Sequence, residues 1–360
     1  MYRFNTPHAD FEDTIVMEGR WDPETGVPAK TMRHDLLFHG TGVEYFRIWI
    51  VNMALSLVTL GLFSPWAKVR RQRYFYSNTE LDGARFEYHA KALNILAGRA
   101  FLLLMVLAGV WLGVSQSPWA LLALLAGLLS MPGLIASSMR FKTRMVSWRG
   151  VRFAWQGSTG SVYRRSFKVA FLTVITLGIY YFAAHHAFKR LFVDRLQFGS
   201  MRFECSSTAG AFFGPYFVVG TITSLFSKSL DLVIPSLEGT PTAVVLGVVV
   251  LGVLYVTYQV LADVLSKTIQ NQTRLEDELS FQNTATTTGL LALHLSNLLW
   301  TVTTLGLYWP WAQVRAMRYR CAHFVVVGDL KALRSYNVVR AKAAAFGQEA
   351  AGALDFDVGF

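Results

Sequence analysis

Long apolar stretches separated by short polar links dominate the hydrophobic pattern of the chain. The first two cover residues 93–114 and 119–139, and the next two cover 211–227 and 243–262. A helix needs about 20 apolar residues to cross the hydrocarbon layer of a membrane. The pattern therefore predicts two transmembrane helical hairpins.

Three weaker apolar segments each belong to a longer pattern that recurs along the chain. Residues 59–74 read "TLGLFSPWAKVRRQRY" and residues 304–319 read "TLGLYWPWAQVRAMRY", with 11 identities in 16 positions. A shorter match, "TLGIY", occupies 176–180. Self-similarity of this kind indicates internal repeats, so the sequence predicts three related units.

Each unit begins and ends with a short stretch that is typical of a β-strand. The opening stretches read "LLFHGTG", "VRFAWQGSTG" and "LSFQNTA", and the closing ones read "ARFEYHA", "MRFECSS" and "HFVVVGD". Short alternating runs bounded by Gly, Thr or Asp indicate strands. We therefore expect a mainly α, polytopic membrane protein in which three strand–helix–TLG turn–helix–strand units alternate with two transmembrane hairpins, with a small cytoplasmic β portion.

The predicted order of segments is an N-terminal polar segment (1–35), repeat unit one (36–90), a transmembrane hairpin (91–140), repeat unit two (151–206), a transmembrane hairpin (211–265), repeat unit three (279–330) and a cytoplasmic tail (331–360).

Two membrane topologies fit this order, and the charges separate them. If the apolar segment of every unit crosses the membrane, the chain has seven spans, and Lys189 and Arg195 lie opposite Arg140 and Arg144. If each unit enters and returns as a re-entrant pair, every basic cluster falls on one side, as the positive-inside rule expects. The charges favour four spans with three re-entrant units. That arrangement requires reversing backbone to be buried or to line a wet cavity, so seven spans stay open.

The TLG sequence explains how a unit could reverse. Gly61, Gly178 and Gly306 are the candidate turn residues, because glycine readily adopts the left-handed conformation that ends a helix. Pro65 and Pro310 follow the turn in units one and three, where a helix begins and a missing N–H costs nothing.

Composition supports a membrane protein and excludes several other classes. Of the 360 residues 53% are hydrophobic and 16% are charged, against roughly 25% charged in soluble domains. The net charge of +11 comes from basic residues beside the apolar runs, which argues against nucleic acid as a partner. Cys205 and Cys321 are too few for a disulfide framework or a zinc site. Residues 1–32 contain no apolar region of a signal peptide.

The candidate site residues lie on the basic helices that follow the turns. In units one and three a tryptophan and two arginines are spaced i, i+4, i+7, so each set shares one helical face. Unit two has a basic residue only at the last of these three positions, Arg190. The residues are Trp66, Arg70, Arg73, Arg190, Trp311, Arg315 and Arg318.

These faces have two interpretations. As membrane anchors, the tryptophans sit at headgroup level and the arginines extend to lipid phosphates. Alternatively the arginines face inward and bind an anionic group through paired hydrogen bonds, with Arg73, Arg190 and Arg318 around one axis. Charged residues at membrane depth are candidate functional sites, so both interpretations remain.

The unit-one motifs resemble a known family. An F-x-G entry strand, the "TLGLxxPWAxVRxxRY" turn and the "NTxLDGxxFEY" exit at 78–88 are similar to the YjgN-like family of bacterial inner-membrane proteins. The resemblance covers about residues 33–330. It implies a multi-pass protein of the bacterial inner membrane. The family is a domain of unknown function, so the resemblance implies no activity and no binding residues.

Other chemistry has little support in the sequence. The chain has no nucleophile elbow, phosphate loop or zinc motif. His185 and His186 are adjacent and point apart on a helix, so no metal or cofactor is expected. His39 and His294 fit interface positions, and Asp263 fits either the water interface or a proton relay.

The leading functional hypothesis is therefore a transporter or channel-like protein for an anionic solute or lipid. The alternative is a non-transporting scaffold or lipid-organising protein that binds anionic headgroups. An intramembrane enzyme is disfavoured, because no catalytic pair is recognisable. Expected partners are membrane lipids and an anionic small molecule, and the oligomeric state is open.

Overall fold

The computed structural model describes residues 32–233, 241–276 and 278–330, which form ten strands and ten helices. The strands are β1 (Arg33–Phe38), β2 (Thr79–Leu81), β3 (Ala84–Tyr88), β4 (Val146–Trp148), β5 (Val151–Trp155), β6 (Leu196–Phe198), β7 (Met201–Cys205), β8 (Thr273–Leu275), β9 (Leu279–Asn283) and β10 (Phe324–Gly328). The helices are α1 (Gly42–Val58), α2 (Ser64–Ser77), α3 (Ala92–Val114), α4 (Ala120–Arg144), α5 (Thr159–Ile175), α6 (Tyr181–Asp194), α7 (Gly210–Val233), α8 (Pro241–Asn271), α9 (Thr287–Thr303) and α10 (Trp309–Ala322).

The ten strands close into one barrel. Each strand pairs antiparallel with the strands before and after it in the sequence, and β1 pairs with β10 to complete the circle. Closure removes the unpaired edges that a sheet would otherwise expose. Strands of only three residues, such as β2 and β4, are therefore paired on both sides.

The two ends of the barrel differ. At one end, tight turns join β2 to β3 and β4 to β5. Asp82 and Gly83 have φ of 48° and 72°, and Arg149 and Gly150 have φ of 49° and 76°. Two successive positive φ angles match the right-handed twist of paired strands. Because successive strands run in opposite directions, all five helical pairs leave the barrel from the other end.

The helical pairs begin where the sequence offers capping side chains. Thr41 Oγ1 accepts a hydrogen bond from the Glu44 amide (3.3 Å), and Ser158 Oγ accepts one from the Ser161 amide (3.2 Å). These oxygens satisfy N–H groups that have no partner within the helix. Each helix contacts the helices before and after it in the sequence, and α1 contacts α10, so the helices form a closed ring.

In the described part of the chain, four helices are long and apolar enough to cross a membrane. They lie at Ala92–Val114, Ala120–Arg144, Gly210–Lys228 and Val245–Asn271. They form the pairs α3–α4 and α7–α8, where the sequence predicts the two transmembrane hairpins. The helices of the remaining pairs have 17 and 14 residues each.

The TLG sequences form the turns within the short helical pairs. Gly61, Gly178 and Gly306 have φ of 87°, 90° and 90°. In the first turn, Thr59 Oγ1 donates to the carbonyl of Leu55 (2.7 Å) and accepts from the amide of Phe63 (3.0 Å). The threonine therefore links the end of one helix to the start of the next.

The barrel interior is an apolar core rather than a channel. Large side chains from many strands meet there, and they bury the inward face of each strand in turn. The buried members include Leu81, Trp148, Phe198, Met201, Phe203, Leu275, Leu279 and Val326.

The structure departs from the expected fold in the size of its β portion. The six expected strand-like stretches are strands, and within the described residues four further short strands, β2, β4, β6 and β8, join them in one closed barrel that the sequence did not predict. Helices α4 and α8 also continue to Arg144 and Asn271, past the expected hairpin ends at 140 and 265. The predicted tail and nearly all of the N-terminal segment lie outside the described residues.

Candidate anion-binding site

Helix α2 presents two different basic faces. Lys68 and Arg71, three residues apart, lie on the face toward α10 and line a cavity there. Arg70 and Arg73 lie on the opposite face and line a groove with residues of α1. Helical geometry separates the two sets by roughly half a turn. We call the first face the inner face of α2 and the second its outer face.

A cavity of about 320 Å³ adjoins the inner face, between α1, α2, α3 and α10. Lys68, Arg71 and Arg99 contribute three positive charges to its lining, and no acidic side chain of the described residues lines it. The Arg99 guanidinium donates to Ser64 Oγ at 2.5 Å, which fixes the end of this side chain. We call this space the basic cavity.

A buried amide also faces the basic cavity. Asn52 of α1 is 7% exposed, and its side-chain oxygen has no hydrogen-bond partner among the described residues. A buried polar group without a partner costs about 1–3 kcal/mol. The oxygen and nitrogen of an amide side chain can exchange places by a flip, so Asn52 can offer either a donor or an acceptor to a bound molecule.

The positive charges around the cavity are not neutralised. Burial, and then the neighbouring charges of Arg99, Lys142 and Arg71, lower the pKa of Lys68. On α6, burial and the charge of Lys142 lower the pKa of Lys189. Within the cavity lining, Lys68 therefore has the like charges of Arg71 and Arg99 nearby, an electrostatic environment that favours an anion. Lys142 and Lys189 are not among the lining residues.

A second cavity, of about 420 Å³, lies next to the first. Arg71, Trp309 and Gln313 line both cavities. The second lies between α2, α8, α9 and α10, and its lining carries amide groups of Gln72, Gln259 and Asn297 beside aromatic rings. It is a mixed polar and apolar space.

A polar network lies beside this second cavity, and its members His294 and Arg320 line the cavity. His294 Nε2 lies 2.8 Å from Asp263 Oδ2, and Arg320 donates to Asp263 Oδ1 at 2.9 and 3.1 Å. The side chains of His294 and Asp263 are 6% and 12% exposed. Arg320 lines both this cavity and a third one of about 470 Å³ next to the barrel. Asp263 therefore links α8 to α9 through His294 and to α10 through Arg320, whose side chain is 48% exposed.

The predicted site residues lie outside the two inner cavities. Arg70 and Arg73 are exposed on the outer face, where the Arg70 guanidinium lies 5.5 Å from the Phe63 ring centre. Trp66 stacks on Phe63, with ring centres 6.0 Å apart. Trp311 packs on Phe46 with ring centres at 4.8 Å.

The other predicted arginines bind protein groups. Arg190 pairs with Asp194 at 3.2 Å. Arg315 donates to Asn297 Oδ1 at 3.3 Å, and Arg318 donates to the Gly40 carbonyl at 3.0 Å. Among the described residues no contact joins Arg73, Arg190 and Arg318. Whether any of these residues binds an anion stays a prediction.

Sequence reasoning missed Lys68, Arg71 and Arg99. Two of them stand inside the quoted motif, but only the spacing of the tryptophan and arginines was used. Arg99 offered a clearer signal, since it is a charged residue within a predicted membrane span, and such residues are candidate functional sites.

Comparison with known proteins assigns the chain to a family. The model of a family described as "Bacterial protein of unknown function (DUF898)" matches residues 33–353. The chain belongs to this family. No solved structure matches the chain significantly.

Three curated relatives are named as inner membrane proteins. The inner membrane protein YjgN of Escherichia coli O157:H7 is 32% identical over 155 residues, which are 41% of this chain and only 38% of that protein. The Salmonella typhimurium protein of the same name is 25% identical over 366 residues, covering 84% of this chain and 91% of that protein. The resemblance to the YjgN-like family is confirmed, and the chain is a bacterial inner-membrane protein.

Proposed function

We propose that the protein is a transporter or channel-like protein for an anionic solute or lipid. The observation that carries the proposal is the basic cavity, where Lys68, Arg71 and Arg99 meet without a carboxylate. Three unneutralised charges in a confined space have a high electrostatic cost. An anion that accepts charge-assisted hydrogen bonds from them would offset that cost.

Asn52 adds a reason to expect a bound molecule. A polar group on such an anion would satisfy the buried amide of this residue, which has an atom without a partner. The position of Arg99, within the candidate span Ala92–Val114, supports a ligand at membrane depth. The proposal assigns no chemical reaction to the cavity.

The neighbouring positions of the three cavities favour transport over simple binding. The basic cavity shares lining residues with the second cavity, and the second shares Met317 and Arg320 with the third, next to the barrel. An anion could thus pass between the helices toward the barrel. The network of Asp263, His294 and Arg320 stands on this route.

We also infer that the barrel lies in the cytoplasm and that the three short helical pairs are re-entrant. This inference is supported by the pairing of both flanking strands of every helical pair in the same barrel. The clustering of basic residues on one side points the same way. The scaffold alternative draws its support from Arg70 and Arg73, which are exposed away from the cavities.

The test compares anion binding and transport in matched variants of the full chain. The cavity variant Lys68→Gln/Arg71→Gln/Arg99→Gln is set beside Arg152→Gln/Arg202→Gln/Arg274→Gln, which removes three exposed charges from the barrel. Inorganic phosphate, sulfate and chloride serve as probes. We expect at least one probe to raise the thermal stability of the wild type and the barrel variant, with at least tenfold weaker apparent affinity in the cavity variant.

Uptake of that probe into vesicles of neutral lipid separates the two functions. Transport predicts uptake by the wild type and the barrel variant and a large loss in the cavity variant. Binding without uptake would favour the scaffold. Equal binding by all three proteins would contradict the basic cavity as an anion site.

A further inference from the structure

The outer face of α2 forms a second basic site, separate from the basic cavity. A groove of about 520 Å³ runs between α1 and α2, and its lining includes Arg47, Arg70 and Arg73 together with Ile48, Val51 and Ser77. No acidic residue is among its lining side chains in the described part of the chain. We call this space the outer groove.

The three arginines of the outer groove have no polar protein partner. Within residues 32–233, 241–276 and 278–330, none of them makes a hydrogen bond or an ion pair, and Arg70 contacts only the face of the Phe63 ring. A guanidinium carries five donors. Fifteen donors around one groove, with no acceptor from the protein, provide a surface for a strongly anionic group.

The same positions on α10 are arranged differently. Arg315 and Arg318, which match Arg70 and Arg73 in the repeated string, donate to Asn297 and to the Gly40 carbonyl. The position that corresponds to Arg47 is Ala292. The repeated string therefore provides unengaged arginines only in unit one, so a general property of the string does not explain the groove.

The apolar surface beside the groove indicates what kind of anion fits. Val51, Leu55 and Val58 follow the groove along α1 with helical spacing, and they are 47%, 37% and 81% exposed. Leu60 at the tip of the pair is 94% exposed. Arg47 and Arg73 lie at the barrel end of the same pair. The surface is thus cationic at one end and apolar at the other, which matches an amphiphile.

We propose that the outer groove binds an anionic phospholipid, with the phosphate on Arg47, Arg70 and Arg73 and an acyl chain along Val51, Leu55 and Val58. Guanidinium groups suit phosphate because their donors match its oxygens in pairs. A soluble anion would use only the arginine end and leave the apolar row exposed. This proposal does not depend on the basic cavity, since the two sites occupy opposite faces of α2.

The test measures stabilisation of the purified full chain in a neutral detergent. Phosphatidylglycerol is compared with phosphatidylcholine, and with glycerol 3-phosphate as a headgroup without acyl chains. The groove variant is Arg47→Gln/Arg70→Gln/Arg73→Gln, and the charge-matched control is Arg152→Gln/Arg202→Gln/Arg274→Gln on the barrel. Arg47→Lys/Arg70→Lys/Arg73→Lys keeps the charge and serves as a second groove variant if the first is poorly folded.

We expect phosphatidylglycerol to stabilise the wild type, the barrel control and the cavity variant Lys68→Gln/Arg71→Gln/Arg99→Gln alike. The groove variant should need at least about tenfold more lipid for the same shift, and the lysine variant should also be weakened, because lysine lacks the paired donors. Equal stabilisation of the wild type and both groove variants would overturn the proposal. So would glycerol 3-phosphate acting as strongly as the lipid, since the site would then belong to a soluble anion.

Discussion

Helices α2 and α10 have related sequences, identical at 7 of 14 positions, yet their basic residues have different surroundings. On α10 the arginines bind protein groups: Arg315 contacts Asn297, Arg318 contacts Gly40 and Arg320 contacts Asp263. On α2, Arg70 and Arg73 have no polar partner among the described residues. The same string is therefore part of the internal framework in one place and offers open binding surfaces in the other.

The first helices of the two pairs show the same contrast. Asn52 and Asn297 occupy corresponding positions, and each is 7% exposed. Asn297 donates to the Ala312 carbonyl at 3.3 Å and accepts from Arg315. Asn52 keeps an unpartnered oxygen beside the basic cavity. Two asparagines at matching positions thus have different roles: Asn297 has protein partners and stabilises the fold, whereas Asn52 has an unpartnered atom that a ligand could bind.

The largest expected effect concerns the network that holds α10. Asp263→Ala should lower the free energy of unfolding by about 2–3 kcal/mol, because it leaves the buried His294 without its hydrogen-bond partner and removes the charged partner of Arg320. Unfolding in mixed detergent micelles measures the loss. The exposed carboxylate Glu204 is the control, and Glu204→Gln should change stability by less than about 0.5 kcal/mol. An equal effect of both changes would show that the network is not part of the framework.

Substitution of the turn glycine should have the same effect in the pair α1–α2 and in the pair α9–α10, because the two turns have the same backbone conformation. Gly61→Ala and Gly306→Ala should each cost about 1–2 kcal/mol, because both positions have positive φ. No atom stands within 4 Å of the added carbon, so the cost is in the backbone alone. Gly113→Ala in α3 also meets no neighbour, and it should be neutral or stabilising. Equal melting temperatures for all three variants would argue against strain at the turns.

The two asparagines should differ in their contribution to stability. Asn297→Ala should cost about 1–2 kcal/mol through two lost hydrogen bonds. Asn52→Ala should be close to neutral without ligand, and it should weaken the response to whichever probe anion stabilises the wild type. Thermal unfolding with and without the anion tests both statements. A large loss of stability in ligand-free Asn52→Ala would mean that this amide has a structural role.

The smallest effect separates the two arginine faces. Arg318→Gln should destabilise the protein by about 1 kcal/mol, since it loses the contact that joins α10 to the start of α1. Arg73→Gln, at the matching position of α2, should leave stability in neutral detergent unchanged. The melting curves of the two variants measure this difference. Identical curves would contradict the view that Arg318 stabilises the fold and Arg73 does not.

Much of the helical pattern follows from the sequence alone. The two long hairpins were predictable because their apolar runs are long and continuous, and the structure confirms them as helices. Strands β2, β4, β6 and β8 were missed, because three residues are too few to show alternation. Each of them pairs on one side across a short turn, as Glu80 pairs with Arg85. The partner on the other side lies far along the chain, as Leu36 does for Leu81, and no local pattern records that pairing.

The sequence also did not predict that a long and a short helical pair share the same turn conformation. The "SQSP" link of α3–α4 shares no residue with TLG, yet Gln116 has φ of 50°, as does Leu60. Its Ser117 amide bonds to the Leu112 carbonyl (3.0 Å), as the Gly61 amide bonds to Ser56 (2.7 Å). Different residues thus adopt one turn conformation. The basic cavity could not be predicted from the sequence either. Its lining residues Asn52, Lys68 and Arg99 come from three separate helices, and only the fold brings them together.

The most direct test of the one-sided barrel is cysteine labelling in intact and permeabilised cells. Gln156→Cys and Ser200→Cys flank the pair α5–α6, both at exposed positions of the barrel region, and Gln116→Cys lies at the tip of α3–α4. The natural cysteines give little background, because Cys205 is buried and burial raises the pKa of Cys321 to about 11. We predict that a membrane-impermeant reagent labels Gln116→Cys in cells whose outer membrane alone is permeable, and labels the two barrel positions only after the inner membrane is opened. Labelling of Gln156→Cys and Ser200→Cys from opposite sides would contradict the re-entrant arrangement and restore seven spans.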